Sequence, residues 1–385
     1  MVYLDNNATT PLDPAVADKM AGFLREHFGN PSSLYPIGRQ AKEMIHEARE
    51  HVARALGANK AEIYFTGSGT ESDNHAILGV LDALPDKREF VTSTIEHPAV
   101  QETAVYLERR DVKVAYVPVD RGGILDLDAL RDTVTGRTAL VSVMHANNEI
   151  GSIQPIAEAA RIAHEHGALF HTDAVQTFGK IDLRVEELGV DLLTVSSHKI
   201  YGPKGVGALY VRKGTPIRPF IHGGHQERGL RAGTENTVGI IGFGEAARIL
   251  PEKIGPDRAR VTALADRLRA GIDERIPKVR MNGPPDKRIK STLSYSFLGL
   301  ESEAVLLALA TKGIYVSTGS ACSEEADEVS HVLTAIGLRP EIARSTVRMS
   351  LGRFNTEGDI DLVLRDLPEI VAKIRKISAW NPEGF

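Results

Sequence analysis

The feature that most constrains the fold is an alternation of short β-branched runs with helical patterns over the first two-thirds of the chain. The predicted strands are residues 62–65, 90–94, 112–117, 140–144, 169–171, 192–195 and 208–211. Helical patterns lie between several of them, for example at 70–81 and at 155–166, where Pro155 is expected at the first helical position. This alternation predicts an α/β fold with a mostly parallel sheet covered on both faces. Ligands of such sheets bind beyond the carboxyl ends of the strands, so we expect one shared site there.

The pattern changes around residues 251–256, which suggests a second unit. The strands predicted beyond this point are 292–297, 314–316 and 346–350, and the helices are 302–311 and 357–374. Thr356 is a plausible N-cap of the last helix. A chain of 385 residues also favours about two domains. We therefore expect a large domain over 14–254, and a smaller α/β domain formed by 1–13 and 255–385.

Composition excludes several classes of protein. The formal net charge of −5 disfavours a duplex nucleic-acid binder. No apolar run approaches the ~20 residues of a membrane span, and no secretory signal is expected at the start of the chain. The chain has one cysteine, so an intrachain disulfide and a cysteine-based structural zinc site are excluded, and we expect no metal. These features predict a reducing, cytoplasmic location.

A glycine-containing run joins the first predicted strand to its helix, with Gly67, Ser68, Gly69 and Thr70 in sequence. Glycines let the backbone approach an anion, and the N–H groups at a helix start favour phosphate. The spacing matches neither a P-loop nor a dinucleotide-binding motif. An ordinary strand-to-helix turn is the alternative explanation of this run.

A second polar run follows the strand 192–195 directly and contains Ser196, His198 and Lys199. A lysine at the end of a buried strand loses solvation, which lowers its pKa and frees the amine for imine formation. A solvated lysine at a strand end is the common alternative, but the flanking serine and histidine weaken it.

Both runs belong to a larger set of motifs that spans nearly the whole chain. The motifs are residues 3–11, 29–33, 69–72, 96–97, 147–151, 171–176, 196–205, 227–236, 319–322 and 348–354. The set resembles the group I cysteine desulfurases, the NifS/IscS type of the class V aminotransferase family. The resemblance implies a fold-type I transferase, with a mostly parallel seven-stranded sheet in the large domain and a smaller C-terminal α/β domain. It also implies pyridoxal 5′-phosphate as cofactor and the removal of sulfur from L-cysteine.

The resemblance assigns roles around the cofactor ring. It implies that Lys199 is the Schiff-base lysine and that Asp173 pairs with the pyridinium nitrogen, which keeps the ring electron-withdrawing. Gln176 would donate to the ring hydroxyl oxygen, and His97 would lie over the ring face and assist proton transfers. Without the resemblance, Asp173 would be interpreted as a turn aspartate and His97 as a cap for the helix at Pro98.

The resemblance also implies how phosphate and substrate are held. The phosphate would be bound by Gly69, Thr70, Ser196 and His198, with Thr234 of the neighbouring subunit, so a homodimer is expected. Arg348 would bind the substrate carboxylate as a bidentate fork, with hydrogen bonds added by Asn148. Taken alone, residues 222–236 would be a glycine-rich loop and Arg348 a solvent-facing arginine.

Cys322 selects the reaction in this interpretation. It lies in a run of small residues, 317–323, typical of a mobile loop, and the thiolate of a free cysteine is strongly nucleophilic. The expected products are L-alanine and a persulfide on Cys322, for transfer to an acceptor such as an iron–sulfur scaffold. The acidic segment 324–328 departs from the family pattern. It is either a solvated loop face, or a segment that raises the thiol pKa or selects a basic partner.

Other activities remain open at this point. A kynureninase-like hydrolase and a transaminase are related alternatives, of which a transaminase has no need of Cys322. A selenocysteine lyase is harder to separate, because its substrate shares the carboxylate and amine of cysteine. A non-catalytic dimeric scaffold is disfavoured by the intact Lys199, Asp173, His97 and Arg348.

Overall fold

The computed structural model describes residues 1–318 and 329–379. The strands are β1 Val2–Tyr3, β2 Ile63–Thr66, β3 Glu89–Ser93, β4 Lys113–Val117, β5 Thr138–Ser142, β6 Leu169–Asp173, β7 Leu192–Ser196, β8 Gly207–Val211, β9 Val279–Met281, β10 Thr292–Phe297, β11 Ile314–Tyr315, β12 Ser317–Thr318 and β13 Thr346–Ser350. The helices are α1 Pro14–Glu26, α2 Pro36–Leu56, α3 Gly69–Ala83, α4 Pro98–Glu108, α5 Leu127–Thr133, α6 Ile156–Glu165, α7 Val185–Leu188, α8 Thr237–Arg275, α9 Ser302–Ala310, α10 His331–Ala335, α11 Pro340–Arg344 and α12 Glu357–Ile377.

The main sheet has, within the described residues, seven strands in the order β2-β8-β7-β6-β5-β3-β4. The pairs from β4 through β3, β5 and β6 to β7 are parallel, and β8 runs antiparallel to both of its neighbours. The strands of this sheet contribute side chains to two apolar clusters. Phe170 packs in one cluster and Leu140 in the other. A strand that is buried on both faces of a sheet needs apolar residues at nearly every position, which explains why these strands are β-branched runs without alternating polar residues. The expected mostly parallel α/β sheet of seven strands is confirmed.

The elements differ from the sequence prediction in two informative places. Pro155 is the N-cap of α6 and not its first helical residue. The change of pattern around 251–256 is not a break, because α8 continues through Pro251 and Pro256. Both prolines are exposed, and the residues before and after them are anchored in different apolar cores, with Leu250 in the large cluster and Leu264 in the other. One helix thus connects the two cores.

The remaining strands form smaller sheets beside the large one. Among the described residues, β12-β13-β10-β9 form an antiparallel sheet, and β1 pairs with β11 in parallel. Val2 and Leu4 pack in the same apolar cluster as Leu268 and Val347. The start of the chain is therefore held by its C-terminal third. The division into 14–254 and 1–13 plus 255–385 remains a proposal with which these contacts agree.

No helix in the described ranges combines the length and the apolarity that a membrane span requires.

A buried ion pair anchors the glycine-rich loop before α8. Glu227 accepts hydrogen bonds from both terminal nitrogens of Arg49, each at 2.6 Å, and from the Phe65 backbone N–H at 2.8 Å. Both charged side chains are more than nine-tenths buried. The loop is thereby tied to the edge strand β2, although Glu227 and Arg228 have positive φ angles of 45° and 58°.

Removing one partner of this pair should be costly, because it leaves the other charge buried and unpaired. We expect Glu227→Ala to lower the free energy of unfolding by about 3 kcal/mol, measured by urea denaturation of the cofactor-free protein. The matched control is Asp128→Ala, which breaks the exposed Arg131–Asp128 pair and should cost less than about 1 kcal/mol. Equal losses in the two variants would contradict the assignment.

Candidate active site

The candidate site lies where β6 and β7 end and α3 begins. A side chain at Gly69, the first residue of α3, would place its Cβ 3.1 Å from a methyl group of Val175 and 3.6 Å from Cβ of Ser196. A Cβ at Gly207 would come within 2.7 Å of the Ser68 carbonyl carbon. The two glycines therefore let the turn, the helix start and the strand ends approach closely. The N–H groups at the start of α3 and the Ser196 hydroxyl form a cradle that fits a phosphate.

Lys199 lies one short turn after β7 and reaches the N-terminal segment. Its Nζ donates to the backbone carbonyl oxygens of Asn7, at 2.5 Å, and Ala8, at 2.7 Å. Asn7 and Ala8 precede Lys199 by nearly two hundred positions in the chain. The local sequence around Lys199 therefore could not predict these contacts. The amine is held at the junction between the large sheet and the start of the chain.

Asp173 is the last residue of β6 and is 5% exposed. Burial raises the pKa of its carboxyl to about 6, while a hydrogen bond from the Val175 N–H and the nearby Lys199 act in the opposite direction. A buried carboxylate in this state is stabilised by a cationic partner. The nitrogen of a protonated pyridine ring suits that position. Together with the cradle and the Lys199 amine, Asp173 makes the site a fit for pyridoxal phosphate.

His97 is both a helix cap and a member of the site. Its Nδ1 accepts the Ala99 N–H at 3.1 Å at the start of α4, so the proton of the neutral ring lies on Nε2. Burial, with Lys199 and His331 nearby, lowers its pKa to about 4. The ring is therefore neutral near pH 7 and can donate from Nε2.

Arg348 and Asn148, which the resemblance assigns to the substrate carboxylate, lie next to each other. Arg348 is 2% exposed on β13, so it is not a solvent-facing residue. Its guanidinium donates to the Asn148 carbonyl oxygen at 3.1 Å and to the Asp5 carboxylate at 2.8 Å. Its Nε is buried without a partner among the described residues. A permanently charged group in this state suits a carboxylate ligand.

The other predicted residues take up clear positions. Gln176 is buried and donates through Nε2 to the Asn7 carbonyl oxygen at 3.0 Å. His198 lies 3.1 Å from the Thr9 hydroxyl, and burial, with Lys199 and Lys204, lowers its pKa to about 4. Thr70 and Thr234 are exposed. Cys322 and the acidic segment 324–328 lie outside the described residues.

Sequence reasoning missed a layer of buried polar residues beneath Asp173. Asp73 is 1% exposed, and its Oδ1 lies 3.7 Å from Nε2 of His171. Burial, and then the charge of Asp173, raises the pKa of Asp73 well above its usual value. His171 also contacts the hydroxyls of Ser142, at 2.8 Å, and Thr194, at 3.0 Å. The signal in the sequence is a carboxylate on the buried face of α3.

Glu96 is a second buried carboxyl to which the sequence pattern assigns no role. Both of its oxygens accept the Met144 N–H at 3.0 Å, and the Ser93 hydroxyl donates to it. The carboxyl therefore joins the end of β3 to the segment after β5, directly before His97 in the chain. Burial raises its pKa from 4.5 to about 8.

Comparison with known proteins gives consistent results. The class-V aminotransferase family model matches residues 2–363. The chain is 49% identical over 383 residues to the cysteine desulfurase IscS of Dictyoglomus turgidum (strain DSM 6724 / Z-1310), covering 99% of this chain and 97% of that protein.

Two solved structures resemble the fold closely. A NifS-like protein aligns with a TM-score of 0.91 and 42% identity, over 97% of this chain and 99% of that one. A structure of SspA in complex with cysteine aligns with a TM-score of 0.82 and 36% identity, over 92% of this chain and 100% of that one.

The raised pKa of Glu96 predicts a pH-dependent stability. Between pH 4.5 and about 8 the folded chain binds more of this proton than the unfolded chain does. The contribution of Glu96 to stability is therefore present below this window and lost as the pH rises through it. We expect Glu96→Gln to gain roughly 1 kcal/mol per pH unit relative to wild type across the window, measured by urea unfolding of the cofactor-free protein.

The control is Glu158→Gln on the exposed face of α6, whose difference from wild type should not change with pH. A Glu96→Gln difference that is constant from pH 5 to 8 would show that this carboxyl is not held protonated.

Proposed function

The chain belongs to the class-V aminotransferase family, and from this premise we infer that it is a pyridoxal-phosphate-dependent cysteine desulfurase. The observation that carries the conclusion is the convergence of Lys199, Asp173 and Arg348 on one site. An amine, an acid for a ring nitrogen and a buried guanidinium for a carboxylate are the groups that an amino acid and this cofactor require together. The substrate is L-cysteine.

The residues of the chain hold the cofactor at three points. Gly69, Thr70, Ser196 and His198 would surround the phosphate. Asp173 would pair with the ring nitrogen, and Gln176 would donate to the ring oxygen. When bound through Lys199, the cofactor supplies an electron sink for the carbon atoms of the substrate.

The substrate is oriented by its carboxylate. Arg348 binds this group, and Asn148 lies beside the guanidinium. The amine of Lys199, once free, moves the proton at the substrate Cα. His97, neutral and protonated at Nε2, lies close enough to Lys199 to affect its electrostatics and assists the transfers.

We propose that Cys322 then attacks the substrate sulfur. A bond forms between the two sulfur atoms, the carbon–sulfur bond breaks, and the carbon keeps the electron pair and takes up a proton. The products are a persulfide on Cys322 and L-alanine. An iron–sulfur scaffold is the acceptor we propose for this sulfur, and the cytoplasm the location.

The ends of the segment that carries Cys322 support this assignment. Before the segment, Ser317 of β12 lies opposite Arg348 in the sheet. After it, the Ser330 hydroxyl donates to the Glu149 carboxylate at 2.6 Å, and Glu149 is the neighbour of Asn148. Both ends are therefore fixed beside the residues that bind the substrate carboxylate, and Cys322 is the only cysteine in the sequence.

We propose that two copies of the chain form the active enzyme. Large apolar side chains are exposed in and between α1 and α2, with Phe28 at 86% and Leu34 at 83%. Such a cluster is unusual on a free surface and marks an interface. Thr234 is exposed on the loop that Glu227 anchors, in position to reach a neighbour. A second copy of the chain accounts for both features.

The test of the reaction is turnover of radiolabelled cysteine. We expect Cys322→Ala to bind the cofactor normally, to carry no labelled sulfur and to lose alanine formation by at least about two orders of magnitude. Ser320→Ala, a change of similar size in the same segment, is the control and should retain both. A Cys322→Ala protein that forms alanine and passes sulfur on normally would refute the proposed mechanism.

The shared phosphate site predicts complementation between subunits. Thr234→Ala should weaken cofactor binding about tenfold, since it removes one hydrogen bond to a charged group. In a mixed dimer of Thr234→Ala with Lys199→Ala chains, the one site that keeps Lys199 also receives an intact Thr234, so its affinity should equal that of wild type. A mixed dimer of wild type with a chain carrying both changes is the control and should keep the weakened site. The same affinity in both mixed dimers would contradict a threonine supplied by the neighbour.

A further inference from the structure

Lys180 is a charged residue of the site that the proposed reaction does not use. It follows Gly179, where φ is 76° and a Cβ would lie 2.6 Å from Ile200. The chain therefore turns tightly against the residue after Lys199. The Lys180 side chain is partly buried and enters the junction between the large sheet and the N-terminal segment.

The Lys180 amine is bound to two side-chain amides. Its Nζ donates to Oδ1 of Asn7 at 2.8 Å and to Oε1 of Gln176 at 2.9 Å. An amide can face a lysine only with its oxygen, because the lysine supplies N–H donors at these positions. The NH₂ groups of both amides must then point away from Lys180.

With these orientations, both amides direct their NH₂ groups toward the rest of the site. The NH₂ group of Gln176 is directed to the Asn7 backbone oxygen, at 3.0 Å, beside the Lys199 amine. The NH₂ group of Asn7 donates to the Asn148 carbonyl oxygen at 3.0 Å, and that oxygen also accepts from Arg348 at 3.1 Å. One amine thus orders the donors on the cofactor side and on the substrate side.

We propose that Lys180 is a positioning residue, which holds the Gln176 amide with its N–H toward the cofactor ring oxygen and the Asn7 amide toward Asn148. The inference rests on the proposed function, because it assumes that Gln176 donates to the ring oxygen of the cofactor. Without Lys180 the Gln176 amide loses the donor that fixes its oxygen, and only its bond to the Asn7 carbonyl oxygen opposes a rotation that would turn the amide oxygen toward the ring. Two acceptors would then face each other and repel.

The charges around Lys180 come from several elements. Lys199 and Arg348 face it from the site, and Asp5 pairs with that arginine. Lys180 and Lys199 also line one cavity, whose other charged residues are Asp257, Arg258, Arg288, Lys290 and Arg353. Burial, followed by Lys199 and Arg348, lowers the pKa of Lys180 to about 7. Both its ammonium and its neutral amine have the two N–H groups that the amides require, so the orientation holds on either side of that pH.

The test is a pH titration of the visible absorption of the bound cofactor in the holoenzyme. A donor at the ring oxygen stabilises negative charge there and so lowers the pH at which the linkage to Lys199 gives up its proton. We expect Lys180→Met to raise this midpoint by about one pH unit, and Lys180→Arg, which keeps the donors, to leave it near the wild-type value. Thermal unfolding is measured first, and Lys180→Leu, which also lacks a donor, replaces Lys180→Met if the latter does not fold.

A double-mutant cycle shows whether Lys180 acts through Gln176. We expect Gln176→Leu alone to raise the midpoint, and Lys180→Met to add little in that background. A midpoint unchanged by Lys180→Met would overturn the inference. So would a full shift that persists in the Gln176→Leu background, because Lys180 would then act through its charge alone.

Failure of the proposed function has a different signature. If Gln176→Leu leaves the midpoint unchanged while the visible absorption persists, the role of Gln176 at the ring is wrong, and the inference falls with it. A wild-type protein that develops no visible absorption with pyridoxal phosphate would refute the proposed function itself.

Discussion

The backbone carbonyl of Asn7 is the point at which the two parts of the chain meet. It accepts hydrogen bonds from the Lys199 amine and from the Gln176 amide, both at the carboxyl edge of the large sheet. The Asn7 N–H, in turn, donates to the Ser350 hydroxyl of β13 at 2.9 Å. One residue of the N-terminal segment thereby places the lysine of the large sheet beside the strand that carries Arg348. Most of the site geometry depends on this junction.

Burial governs the charges at the site. The pKa values of Asp73, Asp173 and Glu96 are raised by burial, and those of His97 and Lys180 are lowered by it. In each case the neutral form gains relative to the charged form. Under the proposed function, the ligands would bring the missing charges: a ring nitrogen to Asp173, a phosphate to the start of α3 and a carboxylate to Arg348. Cofactor and substrate therefore complete the electrostatics of the fold.

The sequence predicted the parts of the site that lie directly after strands. Ser196 and Lys199 were singled out by their position at the end of an apolar run, and Asp173, at the end of another, only by the family resemblance. Contacts between distant segments were not predictable, because no local pattern shows that Asn7 receives Lys199 or that Asp5 pairs with Arg348. The sequence pattern did not show that α8 continues through residues 251–256, because exposed prolines interrupt its pattern but not its backbone. Pro155 was displaced by one residue, a difference that periodicity does not resolve.

The most direct test of the central claim, that Lys199 carries the cofactor, is to trap the linkage. Borohydride reduces an imine between lysine and pyridoxal phosphate to a stable secondary amine, and peptide mass spectrometry then locates it. The account predicts a single labelled peptide with the modification on Lys199. Lys180 binds the side chain of Asn7, whose backbone oxygen binds Lys199, so it is the natural competitor. Modification at Lys180, or a protein that remains unlabelled after loading and reduction, would contradict the account.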